Sequence, residues 1–273
     1  MLHMQIDHYK RFVGRAAQSV AFGREELTVI LSPHIDDIIL SLYEHMADGS
    51  LGKNLIGINF FTANYSSVKT VTRLSFGAVS KTSVLRMSEE LMFSKHLAKK
   101  GINYLPSFLG MRDAALNDYY KFIFSGIASK WTGKPMTKLH NLQGYYNKLD
   151  LPTVLERLMV QYRGSVRKIL MPMGLSSHRD HMLFTKLSQD MDSGIKLGLY
   201  CDIPYIHKFG YDTIERLKEL APEGYSNISS KMKNPSQKRA AFKSIYPSQY
   251  DRAMDDAINE VAETTGEVVF WYR

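Results

Sequence analysis

Residues 27–46 read LTVILSPHIDDIILSLYEHM, and this stretch decides the fold class. The first six residues are mostly apolar, which predicts a buried strand, and residues 36–46 carry the apolar spacing of a helix with one buried face. A strand that passes through a short polar turn into a helix is the first half of a βαβ unit. Similar apolar runs occupy residues 55–62, 168–173 and 197–201. Strands with so little alternation suit a parallel sheet covered on both faces.

Helical patterns separate these runs and follow them. They cover residues 83–99, 153–162, 180–191, 238–245 and 250–264, with a terminal strand at residues 267–272. Residues 113–149 read as an irregular excursion, and residues 220–235 as a long connection. We therefore predict an α/β fold with a Rossmann-like, mainly parallel sheet flanked by helices and carrying loop insertions. The whole chain, residues 1–273, is expected to form one domain.

Composition excludes several classes of protein. The chain has 273 residues, of which 44% are hydrophobic, so it is too apolar for a disordered protein. Its net charge of +8 is scattered along the sequence. The densest basic stretch, with Lys231, Lys233, Lys238 and Arg239, has no interleaved aromatic residues, which favours a solvated loop over a nucleic-acid surface. The single cysteine, Cys201, excludes a disulfide within the chain.

The sequence also predicts a cytoplasmic protein. No apolar run reaches the ~20 residues of a membrane-spanning helix, and the first residues lack the pattern of a signal peptide. The apolar segment 267–273 and the tyrosine-rich excursion could cover a pocket or form the interface of a homo-oligomer, and both interpretations stay open. The tyrosines of the excursion are Tyr119, Tyr120, Tyr145 and Tyr146.

Polar side chains follow the first predicted strand at the point where it ends. His34, Asp36 and Asp37 come directly after that strand and at the start of the next helix. In an open parallel sheet, ligands bind at the carboxyl ends of the strands. One aspartate could instead serve simply as a helix cap, but a cap requires neither a histidine nor a second aspartate beside it.

The stretch KILMPMGLSSHRDHMLFTKL, residues 168–187, repeats this plan. An apolar strand and a glycine turn lead to His178, Asp180 and His181 at the start of a helix. Strand ends in one sheet can converge, so the two polar clusters are expected to meet. His34, Asp37 and His181 would then give Zn²⁺ two imidazoles and one carboxylate, with a position left open for water.

The two clusters resemble the motifs of the PIG-L/LmbE zinc-dependent N-deacetylases. PHIDD at residues 33–37 and HRDH at residues 178–181 are similar to the family forms P-H-P-D-D-E and H-P-D-H. Residues 32–41 match the variant S-P-H-x-D-D-x-x-L-S, which is typical of deacetylases of glycopeptide-antibiotic pseudoaglycones and other natural-product amino sugars. Ile38 stands where other members carry a glutamate, so another group must order this loop.

Further family motifs follow in the same order along residues 27–272. Arg86 with Glu89 or Glu90 resembles the R-x-x-E helix, and LGMRD at residues 109–113 resembles the L-G-x-x-D turn. YCDIPY at residues 200–205 resembles the family's Y-x-D-x-P-Y strand, and KRAAFKSIYPSQY at residues 238–250 resembles its K-x-x-A-x-x-x-Y-x-S-Q segment.

The resemblance implies a role for each polar residue. His34, Asp37 and His181 are expected to bind Zn²⁺, which Fe²⁺ or another divalent ion can replace. Asp36 is expected to act as general base on the metal-activated water, and His178 to assist the tetrahedral intermediate.

Asp180 is assigned as a partner that orients an imidazole and keeps His178 protonated. The expected substrate contacts are Asp113, Arg86, Tyr200, Asp202 and Tyr205. Asp113 could instead cap a helix, and Arg86 could instead pair with Glu90.

The expected function is metal-dependent hydrolysis of an N-acyl group, most simply N-acetyl, on an amino sugar such as N-acetylglucosamine or on a glycosylated metabolite. Two alternatives stay open. One is a metal-dependent amidohydrolase that acts on a non-sugar amide, and the other is a catalytically silent carbohydrate- or nucleic-acid-binding homologue. A nucleotide cofactor is not expected, because neither glycine-rich phosphate-binding motif occurs in the sequence.

Overall fold

The structure is a computed structural model that describes most of the α/β core. The described residues are 26–64, 76–113, 116, 165–175, 178–187, 195–203, 205–208, 213–231 and 234–272. The helix expected at residues 153–162, Lys233, the four tyrosines of the excursion and the excursion itself beyond Asp113 and Leu116 lie outside them. The division into one domain therefore stays a prediction.

The described strands form one mixed sheet. Its order is β3-β2-β1-β4-β5-β7-β6. The first five strands in this order are parallel, and β7 runs antiparallel to both β5 and β6. The mainly parallel α/β fold is thus confirmed. The strands are β1 (Leu27–Ser32), β2 (Asn54–Asn59), β3 (Asn103–Phe108), β4 (Val166–Pro172), β5 (Lys196–Tyr200), β6 (Tyr225–Lys231) and β7 (Glu267–Tyr272).

Helices flank the sheet. The structure describes α1 (Asp37–Ala47), α2 (Phe76–Ala98), α3 (Arg179–Leu187), α4 (Tyr205–Lys208), α5 (Ile214–Leu220), α6 (Pro235–Ile245) and α7 (Arg252–Glu263). Helix α2 begins at Phe76, seven residues before its predicted start at residue 83. Ser83, inside the helix, accepts the backbone N–H of Asn64 through its Oγ. No helix of the described residues is long and apolar enough to cross a membrane.

The sequence pattern missed β3 and β6. Among the described residues, both lie at the ends of the sheet, where a strand has one partner and needs no continuous apolar run. Strand β3 contains Pro106, which an edge strand tolerates because the missing N–H can face away from the ladder. Strand β6 has the polar sequence YSNISSK and replaces part of the connection expected at residues 220–235, which also contains the end of α5.

The sheet topology places the two polar clusters side by side. Strand β1 pairs in parallel with β4, with Val29 opposite Ile169 and Ile30 opposite Leu170. From β1 the chain proceeds to β2 and β3 on one side, while β4 leads to β5 on the other. The crevice at such a reversal of strand order is the place where open α/β sheets bind ligands.

The described residues of the basic stretch 231–239 do not form a solvated loop. Lys231 ends strand β6 and pairs with Asp48, whereas Lys238 lies in α6 and is fully buried. The Lys238 ammonium donates to Glu267 Oε1 at 2.6 Å and to the carbonyl of Leu40. A buried lysine needs such a partner, because an unpaired charge inside the protein is costly. The prediction of a solvated loop, made from the density of basic residues, is therefore wrong for Lys238.

We expect Lys238→Met to destabilise the protein in a pH-dependent way. Burial raises the pKa of Glu267 from 4.5 to about 7, so the folded state binds this proton more tightly than the unfolded chain. The contribution of Glu267 to stability consequently falls as the pH rises from 4.5 towards 7. Without Lys238 the ionised Glu267 carboxylate loses its cationic partner, so the stability of the variant should fall more steeply as the pH rises.

Urea unfolding should give a loss of about 3–5 kcal/mol at about pH 8.5 and a clearly smaller loss at about pH 5.5. Lys231→Met is the matched control, since it removes a partly exposed pair and should cost less than about 1 kcal/mol. Equal losses for Lys238→Met at both pH values would contradict this account.

Candidate active site

Two side chains tie down the loop that follows β1. Ser32 Oγ donates to the carbonyl of His34 at 2.6 Å, and the backbone N–H of His34 donates to Asp37 Oδ2 at 2.7 Å. Ile38, which replaces the glutamate of the longer motif, is fully buried in the core. Ser32 and Asp37 therefore order this loop through their contacts with His34.

Three donor atoms from the two clusters form a compact triangle. His34 Nδ1 lies 3.2 Å from His181 Nε2 and 3.4 Å from Asp37 Oδ2, and His181 Nε2 lies 3.6 Å from Asp37 Oδ2. Ligand atoms ~2.0–2.2 Å from a tetrahedral Zn²⁺ are separated by roughly 3.3–3.6 Å. The expected donor set thus has the spacing that a tetrahedral metal ion requires.

The three histidines also form a group that could hold a metal ion. One ring nitrogen of each of His34, His178 and His181 lies within 4.8 Å of the others. His178 is the most exposed of the three, with 31% of its side chain accessible. The structure therefore offers His178 as an alternative to Asp37 in the ligand set, and the two sets share His34 and His181.

His181 is held by a buried carboxylate. Its Nδ1 lies 2.9 Å from Asp202 Oδ1, and Asp202 Oδ2 accepts the backbone N–H groups of Gly174 and Leu175. Gly174 adopts a φ of 71°, which favours glycine in this turn. Asp202 was expected to contact substrate, but it lies beneath His181, where its position fixes which ring nitrogen faces the donor triangle.

Asp180 is closest to His34. Its Oδ2 lies 3.1 Å from His34 Nε2 and 3.9 Å from His178 Nδ1. Burial opposes protonation of His34, but the hydrogen bonds to Asp180 and Asp37 outweigh it and raise the pKa to about 10. Each of the two imidazoles in the triangle thus has a carboxylate on its far side.

The electrostatics of His178 differ from the expectation. Burial and then the charges of His34 and His181 lower the pKa of His178 to about 4, although Asp180 opposes this shift. His178 is therefore neutral at pH 7 in this arrangement, not held protonated by Asp180. Its ring lies 6.0 Å from that of half-buried Tyr205, which also contacts the ring of His181.

Asp36 is paired with Arg86 and does not cap helix α1. Although Asp36 occupies the N-cap position, its side chain makes no capping hydrogen bond. Arg86 Nη2 instead donates to Asp36 Oδ1, so the predicted alternative pair with Glu90 does not form. Arg86 was expected to contact substrate, but it is almost completely buried and its guanidinium donates to Asp36.

Two further residues that were expected to contact substrate, Asp113 and Tyr200, are buried. Asp113 Oδ1 accepts the backbone N–H of Leu116, as a cap would, while the charges of His34 and Arg86 act on its carboxylate. Burial raises the pKa of Asp113. Tyr200 is fully buried, and its hydroxyl donates to the carbonyl of Leu31, which makes it a core residue.

A pocket of about 340 Å³ lies between α2 and the segments that follow β2 and β3. Its lining is mostly apolar and includes Val79, Met87 and Phe108. Ser83 also lines it, one helical turn before Arg86. Sequence reasoning did not find this pocket, because its walls come from segments far apart in the chain.

Comparison with solved structures identifies the fold. A deacetylase in complex with teicoplanin, from the teicoplanin biosynthesis pathway, superposes with a TM-score of 0.59 at 16% identity, covering 90% of this chain and 97% of that one. The zinc-inhibited form of teicoplanin deacetylase Orf2 gives a TM-score of 0.51 at 14% identity, with coverage of 90% and 97%. The chain has the fold of the PIG-L/LmbE deacetylases.

The same fold also occurs in a protein with a different reaction. GalB, the 4-carboxy-2-hydroxymuconate hydratase from Pseudomonas putida KT2440, has a TM-score of 0.51 at 14% identity, covering 87% of this chain and 84% of its own. No protein-family model and no curated protein matches the sequence. The deacetylase fold alone therefore leaves the reaction to be argued from the side chains.

We expect Asp202→Asn to weaken metal binding. The neutral amide has one accepting oxygen where Asp202 uses two. His181 Nδ1–H and the backbone N–H groups of Gly174 and Leu175 then compete for it, so the tautomer of His181 is held less firmly. The apparent Kd for Zn²⁺ should rise by about 10–100-fold in a competition assay with a chromogenic chelator. Asp48→Asn, the same change at a surface carboxylate, is the matched control. An unchanged Kd in Asp202→Asn would exclude this role.

Proposed function

We propose that the chain is a metal-dependent N-deacetylase of the PIG-L/LmbE family, which removes an N-acetyl group from an amino sugar or a sugar-containing metabolite. The observation that carries this proposal is the triangle of His34 Nδ1, Asp37 Oδ2 and His181 Nε2, with Asp36 next to Asp37 in the sequence. A binding protein has no need of a fixed carboxylate next to three such donors. The two family motifs in the sequence and the deacetylase fold support the same reaction.

The metal proposed for this triangle is Zn²⁺, and Fe²⁺ or another divalent ion could replace it. Two imidazoles and one carboxylate suit a catalytic zinc site with an open position. A carboxylate binds a metal ion in its ionised form. Burial opposes ionisation of Asp37, but the charge of His181 and the contacts with His34 hold its pKa at about 2. A divalent ion held there supplies Lewis-acid chemistry, lowering the pKa of water and polarising a carbonyl.

Asp36 is proposed as the general base. Arg86 contacts Oδ1 and fixes the plane of the carboxylate, while 13% of the Asp36 side chain remains accessible. Asp36 can take a proton from the attacking water and return it to the nitrogen of the leaving amine. Loss of that amine as the C–N bond breaks leaves the acyl group as a carboxylic acid.

His178 is proposed to stabilise the negative charge that develops on the carbonyl oxygen. As a neutral imidazole it can donate one N–H to this oxygen, and donors placed in advance need no rearrangement during the reaction. Its ring centroid lies 5.0 Å from that of His34, in an edge-on arrangement. Asp180 then acts by holding His34, and Tyr205 and Asp113 are proposed to contact the substrate.

A second candidate is a metal-dependent amidohydrolase that acts on a non-sugar amide. The pocket beside α2 favours it, because most of its lining is apolar and includes Val79, Met87 and Phe108. An apolar substituent of a glycosylated metabolite would fit the same pocket. The substrate panel must therefore contain both kinds of N-acyl compound.

The test is release of free amine from N-acetylated amino sugars and from non-sugar N-acyl amides by protein reconstituted with Zn²⁺ or Fe²⁺. We expect wild type to hydrolyse an amino-sugar acetamide, and Asp36→Asn to lower kcat by about 10²–10⁴-fold with unchanged metal content. Asp37→Asn, the matched change at the next residue, should lose the metal as well. Activity confined to the non-sugar amides would favour the second candidate.

Two outcomes would contradict the proposal. One is a metal-loaded wild type that releases no amine from any member of the panel but binds a sugar, which would indicate a binding protein. The other is Asp36→Asn with wild-type kcat, which would leave the reaction without its proposed base.

A further inference from the structure

Glu89 of the R-x-x-E-like helix and the segment after α6 have no part in the mechanism above, yet they contact each other. Ser248, which follows α6, donates its backbone N–H to Glu89 Oε1 at 2.9 Å and its hydroxyl to Glu89 Oε2 at 2.5 Å. One residue along α2, Glu90 accepts the hydroxyl groups of Tyr104 and Tyr246. The segment after α6 therefore fixes the turn of α2 that follows Arg86.

Glu89 is a second carboxylate that can compete with Asp36 for the ion pair with Arg86. The charge of Arg86 acts on the Glu89 carboxylate, and Glu89 follows Arg86 by three residues, a spacing at which helical side chains can meet. Arg86 Nε is buried and has no hydrogen-bond partner among the described residues, while Nη2 donates to Asp36. A buried guanidinium with an unused N–H would gain free energy by donating it to a second carboxylate.

Ser248 donates to both Glu89 oxygens and so fixes the position of this carboxylate. Gln249 Nε2 donates to Ser248 Oγ at 3.2 Å, which helps hold the hydroxyl in place. We propose that Ser248 is a positioning residue: it keeps the Glu89 carboxylate away from Arg86, so that the Arg86 guanidinium pairs with Asp36. The inference rests on the proposed function where it gives Asp36 a catalytic role. In this proposal Ser248 acts on Asp36 only through Glu89 and Arg86.

The first variant is Ser248→Ala, which keeps the backbone N–H bond to Glu89 Oε1 and frees Oε2. In its crystal structure we expect Arg86 to lie within about 3.5 Å of Glu89 and to have left Asp36. In kinetics we expect kcat to fall by about tenfold, with KM and metal content unchanged, because the base is misplaced while the ligands are intact. Ser248→Thr retains a hydroxyl and should retain activity.

The second variant separates positioning from a general loss of stability. In Glu89→Gln/Ser248→Ala the neutral amide cannot replace Asp36 as a charged partner of Arg86, so most of the activity lost in Ser248→Ala should return. A merely structural role for Ser248 predicts that the two losses add. Ser244→Ala is the matched control, since Ser244 Oγ donates to the carbonyl of Ala241 in α6 and does not contact Glu89.

The crystal structure decides the proposal independently of activity. Arg86 still paired with Asp36 in Ser248→Ala would overturn it, and so would a double variant no more active than Ser248→Ala. If wild type hydrolyses nothing in the panel but Arg86 turns to Glu89 in Ser248→Ala, then the proposed function fails while the positioning of Arg86 stands.

Discussion

The parallel pairing of β1 with β4 is the constraint on which the site depends. It brings the turn after residue 32 next to the turn after residue 172, so that His34 and His181 meet with 3.2 Å between ring nitrogens. Two imidazoles and a carboxylate at such distances would be costly to bury without protons or a metal between them. A bound divalent ion would replace those protons, which couples metal binding to the pH and to the stability of this part of the fold.

Each donor of the triangle is backed by a second buried group. Asp180 contacts His34 on one side, Asp202 contacts His181 on the other, and the backbone N–H of His34 holds Asp37. The proposed base has its own support in Arg86, which comes from a different helix. The accuracy of the site thus depends on hydrogen bonds between segments up to 146 residues apart.

The fold and the polar clusters could be predicted because they depend on local patterns. Apolar runs gave β1, β2, β4, β5 and β7, and the helix starts after β1 and β4 gave the two clusters. The partners of the buried polar residues could not be predicted, because they depend on which segments meet in three dimensions. Lys238 looked like part of a solvated loop, and Asp202 like a substrate contact, until their partners Glu267 and His181 were known. The edge strand β6 was missed because its single neighbour removes the need for an apolar sequence.

Diffraction at the metal absorption edge from crystals of the zinc-loaded protein is the most direct test of the account. We expect one anomalous peak at about 2.0–2.2 Å from each of His34 Nδ1, Asp37 Oδ2 and His181 Nε2, with His178 outside the first coordination shell. A peak bound by His178 in place of Asp37 would contradict the ligand set and the proposed role of His178. The absence of any peak between His34 and His181 would contradict the metal site itself.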